Sequence, residues 1–166
     1  METREIIIAG FGGQGVMSMG KLLVEGAMKE NKHSSWLPSY GPEMRGGTAN
    51  CHVVISNEPI ISPIVTHPTD LLVLNEPSFN KFKDELTKSG NIFINHDLFD
   101  SDHQNDYHLY KIRSNNQRIN MVMLGAFIKL TGALSALTLI NLIKEQYREP
   151  ALSENLMAFE YGQSLL

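Results

Sequence analysis

Cysteine is nearly absent: Cys51 is the single one in 166 residues. That excludes an internal disulfide framework and a self-contained iron–sulfur cluster on four thiolates, and it fits a reducing cytoplasm. Basic clusters are missing too. Lys and Arg number 14 against 18 Asp and Glu, for a formal charge of -4. An acidic chain without a Lys/Arg patch argues against nucleic acid as its main partner. No uninterrupted apolar run suits a membrane span. The stretch from Val122 to Ile143 carries Lys129, Asn141 and a Gly132–Ser135 break, which two packed helices explain better than one membrane helix. The opening Met1-Glu2-Thr3-Arg4-Glu5 holds acids and only a short apolar run follows, so no secretory signal is expected and the expected location is cytoplasmic.

What is present reads as one globular domain, residues 1–166. Hydrophobic content is 42% and charged content 19%, far from a disordered composition, and the length allows a core without staples. Ile6 to Ala9 is short and β-branched, as in a buried central strand. A glycine turn follows, then a helical pattern from Val16 to about Asn31 with Leu22, Leu23 and Ala27 inward. Trp36-Leu37-Pro38 suggests a strand ending at the proline, and Thr48 to Ile55 another. Pro59, Pro63 and Pro68 predict an irregular stretch. Leu71 to Leu74, Ile92 to Ile94 and Tyr107 to Ile112 read as strands, with a helix from Pro77 to about Leu86 between the first two. Ile119 to Leu130 is helical and apolar nearly all round, which demands deep burial or a subunit interface. Gly132 suits a helix end, Ser135 a helix start, Pro150 the next end, and Ser153 the cap of a final helix. Strands alternating with helices predict an α/β fold: three layers, a mainly parallel sheet with helices on both faces, Rossmann-like.

Gly10, Gly12 and Gly15 match G-x-G-x-x-G between a strand and a helix. Such a turn lets a phosphate approach the main chain and offers it a helix N-terminus. A nicotinamide or flavin site also needs an acid about 20 residues on, for the ribose hydroxyls. That region reads Ser34-Ser35-Trp36-Leu37, and Glu30 and Glu43 are not clearly at a strand end. Four readings stay open: classical dinucleotide binding despite that gap, close packing alone, another phosphate-bearing ligand, or a partner chain lying on the turn.

Ser39 to Thr48 is the most unusual segment, with three glycines and a proline around Glu43 and Arg45. An arginine on such a loop suits a carboxylate or phosphate, because its fork pairs with two oxygens. A local Glu43–Arg45 pair that shapes the loop is the plainer reading. The acids and histidines from His96 to His108 do not form an EF-hand, because Asn105 stands where glycine is required and Lys111 where the closing Glu belongs. No metal site is expected there. Cys51 and His52 are neighbours on a strand and should point to opposite faces. The methionines read as core filler.

Gly10-Phe-Gly-Gly-Gln-Gly-Val, then Ser39-Tyr-Gly-Pro-Glu-Met-Arg-Gly-Gly, then Ser56 and Pro59, resembles the gamma subunit of 2-oxoacid:ferredoxin oxidoreductases over nearly the whole chain, Asn120 and Gly125 included. The resemblance implies a complex that oxidatively decarboxylates a 2-oxoacid to an acyl-coenzyme A. In it, thiamine diphosphate with magnesium and the iron–sulfur clusters belong to partner subunits, alpha and beta, with or without delta, and electrons leave to ferredoxin. This chain has no Cys-rich motif and no G-D-G…N stretch for thiamine diphosphate. By that resemblance it has no catalytic residue of its own and is inactive alone. It helps form the coenzyme A site, a role that falls on Gly12, Gly13, Gln14, Gly15 and Arg45. The form looks most similar to 2-oxoglutarate or generic 2-oxoacid versions, with pyruvate and branched-chain acids open. The competing expectations are a free-standing nicotinamide or flavin oxidoreductase, and a pure assembly module whose glycine loops bind no ligand.

Overall fold

A computed structural model describes residues 3–40, 48–102 and 106–166. Six strands form one sheet: β1 (Arg4–Phe11), β2 (His33–Tyr40), β3 (Thr48–Ser56), β4 (Asp70–Val73), β5 (Gly90–Asn95) and β6 (Tyr107–Ile112). Their spatial order is β2-β3-β1-β4-β5-β6. β3 runs antiparallel to both its neighbours, and β1, β4, β5 and β6 are mutually parallel. The helices are α1 (Val16–Lys29), α2 (Glu76–Phe82, continued by a 3₁₀ turn Lys83–Glu85), α3 (Ile119–Thr131), α4 (Ala136–Gln146) and α5 (Ala151–Ser164). No helix among the described residues is long and apolar enough to cross a membrane.

Alternation along the strands divides the core in two. Ile6, Ile8, Cys51, Val53, Leu72 and Phe93 face α1, α3, α4 and α5. Ile7, Ala9, Val54, Leu71, Val73 and Ile94 face α2 and the proline-rich stretch, with Phe79, Phe82 and Val65 packed on them. Both faces of the sheet are therefore covered, unequally. Phe93 stacks on Tyr110 with centroids 4.9 Å apart and meets Phe127 edge-on at 5.7 Å.

The apolar circumference of α3 is explained by burial within the chain itself. Met121 to Ile128 are all buried. α5 lies against α3 so closely that a Cβ on Gly125 would strike the Phe159 carbonyl, and one on Gly162 would strike that of Val122. Leu130, expected inward, is 37% exposed.

At the end of the sheet where β1 begins, Asp70 is fully buried. Its carboxylate accepts two hydrogen bonds from Arg4 at 3.0 and 2.9 Å and one each from Thr69 and Asn91 at 2.8 Å. This knot ties β1, β4 and β5 together, and a buried charge is tolerated when it is paired and hydrogen-bonded in this way.

Several boundaries differ from the sequence reading. Pro38 does not end β2, which runs on to Tyr40; β2 is an edge strand, where a missing N–H costs little. Asn75 caps α2 by accepting the Ser78 N–H at 2.8 Å. Gly132 ends α3 with φ 59, as its position suggested. Ser135 does not cap α4 with its side chain; its N–H instead donates to Glu30 at 2.7 Å, tying α4 to the end of α1. α4 stops at Gln146, and Pro150 stands at the start of α5. Ser153 lies inside that helix and donates its hydroxyl to Glu149 at 2.6 Å.

Candidate functional site

From β1 the chain crosses through α1 to β2 on one side of the sheet, and later returns to β4 on the other side of β1. The carboxyl ends of β1 and β4 are thus a switch point, the place where open α/β sheets bind ligands. The glycine turn sits there. Gly13 and Gly15 have φ of +88 and +82, left-handed values that cost a side-chain-bearing residue about 1 kcal/mol or more. Among the described residues nothing outside the adjoining chain lies within 4 Å of where a Gly13 side chain would begin.

Gln14 holds the turn in shape. Its N–H donates to the Phe11 carbonyl at 3.2 Å. Its side-chain oxygen accepts the Phe11 N–H at 2.7 Å, and its amide donates across to the Leu74 carbonyl at 3.3 Å. Leu74 also receives the Asn95 amide at 3.1 Å, so β1, β4 and β5 are clamped at their carboxyl ends. A Cβ at Gly10 would stand 2.8 Å from the Gln14 oxygen, which is why a glycine precedes it.

α1 opens directly from Gly15 with no side-chain cap and no acid in its first turn. Among the described residues the Val16, Met17 and Ser18 N–H groups have no acceptor. Unfilled N–H groups and the positive end of the helix dipole together favour an anion. Asn120, in the first turn of α3, lies over Gly15 so closely that its carboxamide occupies the place of a Gly15 side chain. Sequence reasoning did not connect these two, because no periodicity links residues this far apart in the chain.

Arg45 and Glu43 lie outside the described residues. The flanks of their segment are described. Thr48 pairs with Phe11, and Tyr40 pairs with Ala49, which in turn pairs with Gly10. The strand register therefore brings both ends of the second motif beside the glycine turn. Tyr40 is 62% exposed there.

Among the described residues no acid of the kind a nicotinamide or flavin site needs stands at the end of β2. β3 stands between β1 and β2, so the end of β2 lies two strand spacings, about 10 Å, from the turn. It ends in Ser39 and Tyr40, which are not acids.

The other candidates behave as local structure. Cys51 is buried beneath α1, and burial pushes its thiol up to about 12, which leaves it unreactive and unsuited to hold a cluster. His52 points to the opposite face, where its Nδ1 accepts the Val65 N–H at 3.1 Å. Burial holds its pKa below the usual histidine value. In the 96–102 loop, Asp97 accepts the Ser114 N–H at 2.8 Å, and Lys111 pairs with Asp100 at 2.6 Å. That lysine bond holds Asp100 below the usual carboxylate range. Among the described residues no three His, Cys, Asp or Glu side chains converge as metal ligands; His103 lies outside them.

Residues 5–165 match the family described as pyruvate ferredoxin/flavodoxin oxidoreductase. Over 94 residues the chain is 52% identical to the ketoisovalerate oxidoreductase subunit VorA of Methanothermobacter thermautotrophicus, a match covering 57% of this chain and 19% of the length of that protein. It is 36% identical to the 2-oxoglutarate synthase subunit KorC of Methanocaldococcus jannaschii, over 96% of this chain and 91% of that one. Its fold superposes with a TM-score of 0.84 on the gamma subunit of the keto/oxoacid ferredoxin oxidoreductase of Geobacter sulfurreducens, at 27% identity, covering 99% of this chain and 96% of that one.

Proposed function

Because the chain belongs to the pyruvate ferredoxin/flavodoxin oxidoreductase family, we propose that it serves as the gamma subunit of a complex that oxidatively decarboxylates a 2-oxoacid to its coenzyme A thioester, and that its glycine turn holds part of coenzyme A. The observation that carries the second half is the open N-terminus of α1 behind Gly12, Gly13 and Gly15 at the switch point. Coenzyme A is a polyphosphate, and its phosphate oxygens suit unfilled N–H groups at a helix start. Gln14 acts indirectly: both ends of its side chain are committed to Phe11 and Leu74, so it shapes the cradle. Arg45 supplies the forked positive charge from the neighbouring segment.

Thiamine diphosphate with magnesium, and the iron–sulfur clusters that pass electrons to ferredoxin, supply the bond-breaking and redox chemistry when bound in the alpha, beta and any delta subunits. This chain contributes binding and orientation. Its single cysteine is buried and its residues do not fit a cluster of their own. The isolated chain is therefore inactive. For the substrate, 2-oxoglutarate stands ahead of pyruvate and branched-chain acids, supported by a 2-oxoglutarate synthase subunit matched along nearly its whole length. Since the turn touches coenzyme A and not the acid, the acid is chosen elsewhere in the complex.

Arg45→Ala in the assembled complex tests this reading. It should raise the apparent KM for coenzyme A about tenfold or more, the scale of a lost charge-assisted hydrogen bond, and leave the 2-oxoacid KM unchanged. Equal effects on both would remove the coenzyme A role. Loss of assembly would favour a pure assembly module, a reading that draws on the exposed apolar side chains of the proline stretch, where Ile61 is fully exposed and Ile64 56% exposed.

A further inference from the structure

The glycine turn has few side chains of its own with which to hold a ligand. Gln14 is committed inward, and its neighbours in the turn are glycines. The polar group delivered to this spot comes from α3. The Asn120 carboxamide fills the space of a Gly15 side chain, with its Cβ 3.1 Å from that point. It is half-buried and makes no hydrogen bond among the described residues. It stands in the first turn of a 13-residue helix that has no side-chain cap and no acid there. Gly15 opens a 14-residue helix with the same two absences. Two helix N-termini without side-chain caps therefore meet at one point, with a carboxamide between them that is uncommitted among the described residues.

We propose that Asn120 clasps the phosphate-bearing ligand at the glycine turn, donating from its carboxamide beside the open N–H groups of α1. This rests on the turn being the coenzyme A subsite proposed above. The residue type suits the place. An aspartate would cap the helices itself and repel an anionic ligand, and a lysine would add charge to two positive helix ends. A carboxamide donates without doing either.

Asn120→Ala and the isosteric Asn120→Asp, in the assembled complex, test the assignment. Asn120→Asp separates binding from packing, because a carboxylate at two helix N-termini keeps or strengthens folding while it opposes an anionic ligand. Expected are a rise in the coenzyme A KM of about tenfold for the alanine variant and about a hundredfold for the aspartate. The 2-oxoacid KM should hold, and the Tm of Asn120→Asp should match or exceed wild type. A coenzyme A KM for Asn120→Asp within about twofold of wild type, well under one lost hydrogen bond, overturns the proposal; so does an equal rise in the 2-oxoacid KM. Should the alanine variant fail to assemble, the aspartate variant, equal in size, decides. If Arg45→Ala raises the coenzyme A KM and neither Asn120 variant does, only the Asn120 assignment falls. If none of the three moves it, the coenzyme A reading of the turn falls as well.

Discussion

Among single side chains, His52 couples a loop to a sheet through one nitrogen. Its Nδ1 accepts the Val65 N–H, so the neutral ring anchors the end of the proline stretch. Burial is the main cause of its lowered pKa, Glu85 opposes the shift and Lys81 adds to it. The unfolded chain therefore takes up this proton near pH 6.5, before the native chain does. His52 contributes fully to stability above that pH, and the contribution is lost as pH falls through the native pKa. His52→Asn keeps an acceptor and cannot titrate. Tm measured from pH 7 to 5 should fall more steeply for wild type than for this variant; parallel curves would contradict the coupling. That His52 and Cys51 face apart was legible from strand alternation alone. What His52 binds was not, because Val65 lies in a stretch with no periodicity to read.

Among elements, α3 and α5 owe their contact to glycines. Gly125 and Gly162 each face a carbonyl of the opposite helix, so their two backbones nearly touch. Gly125→Ala must push the helices apart, and overpacking of this kind costs about 1–3 kcal/mol. A denaturant midpoint for Gly125→Ala equal to wild type would show that the pair can separate freely. The six strands and five helices of the described residues were visible in the sequence through short apolar runs and helical spacing, although β2 holds no β-branched residue and was read only around Trp36. The caps were less legible. Ser135 and Ser153 look like N-caps by residue type, yet Glu30 and Glu149 capture them, and such partners depend on how the elements meet. The glycine turn was likewise legible as a turn, whereas its clamp to Leu74 and its cover by Asn120 required the sheet order.

At the scale of the whole molecule, the sheet's two faces are unequal. Four helices cover one, and on the other α2 shares the work with the proline stretch. Pro59, Ile61, Pro63 and Ile64 in that stretch are all exposed. A side chain such as Ile61 stabilises nothing in the isolated chain, so Ile61→Lys should leave its Tm unchanged. If this stretch meets a partner subunit, as the proposed complex requires of some surface, the same change should weaken recovery of 2-oxoacid- and coenzyme A-dependent dye reduction on mixing with the other subunits. Full recovery would place the contact elsewhere.

Pro38 has a consequence for how such a complex can grow. It sits within β2, one of the two strands that border the sheet, and lacks the N–H that an incoming strand would need as a donor. Prolines on border strands are a means by which β-proteins resist edge-to-edge aggregation. Along β2 the sheet is thereby discouraged from recruiting a further strand, from another copy or from a misfolded neighbour. Joining with other chains along this border is left to side-chain surfaces, which can select their partner as a bare row of peptide groups cannot.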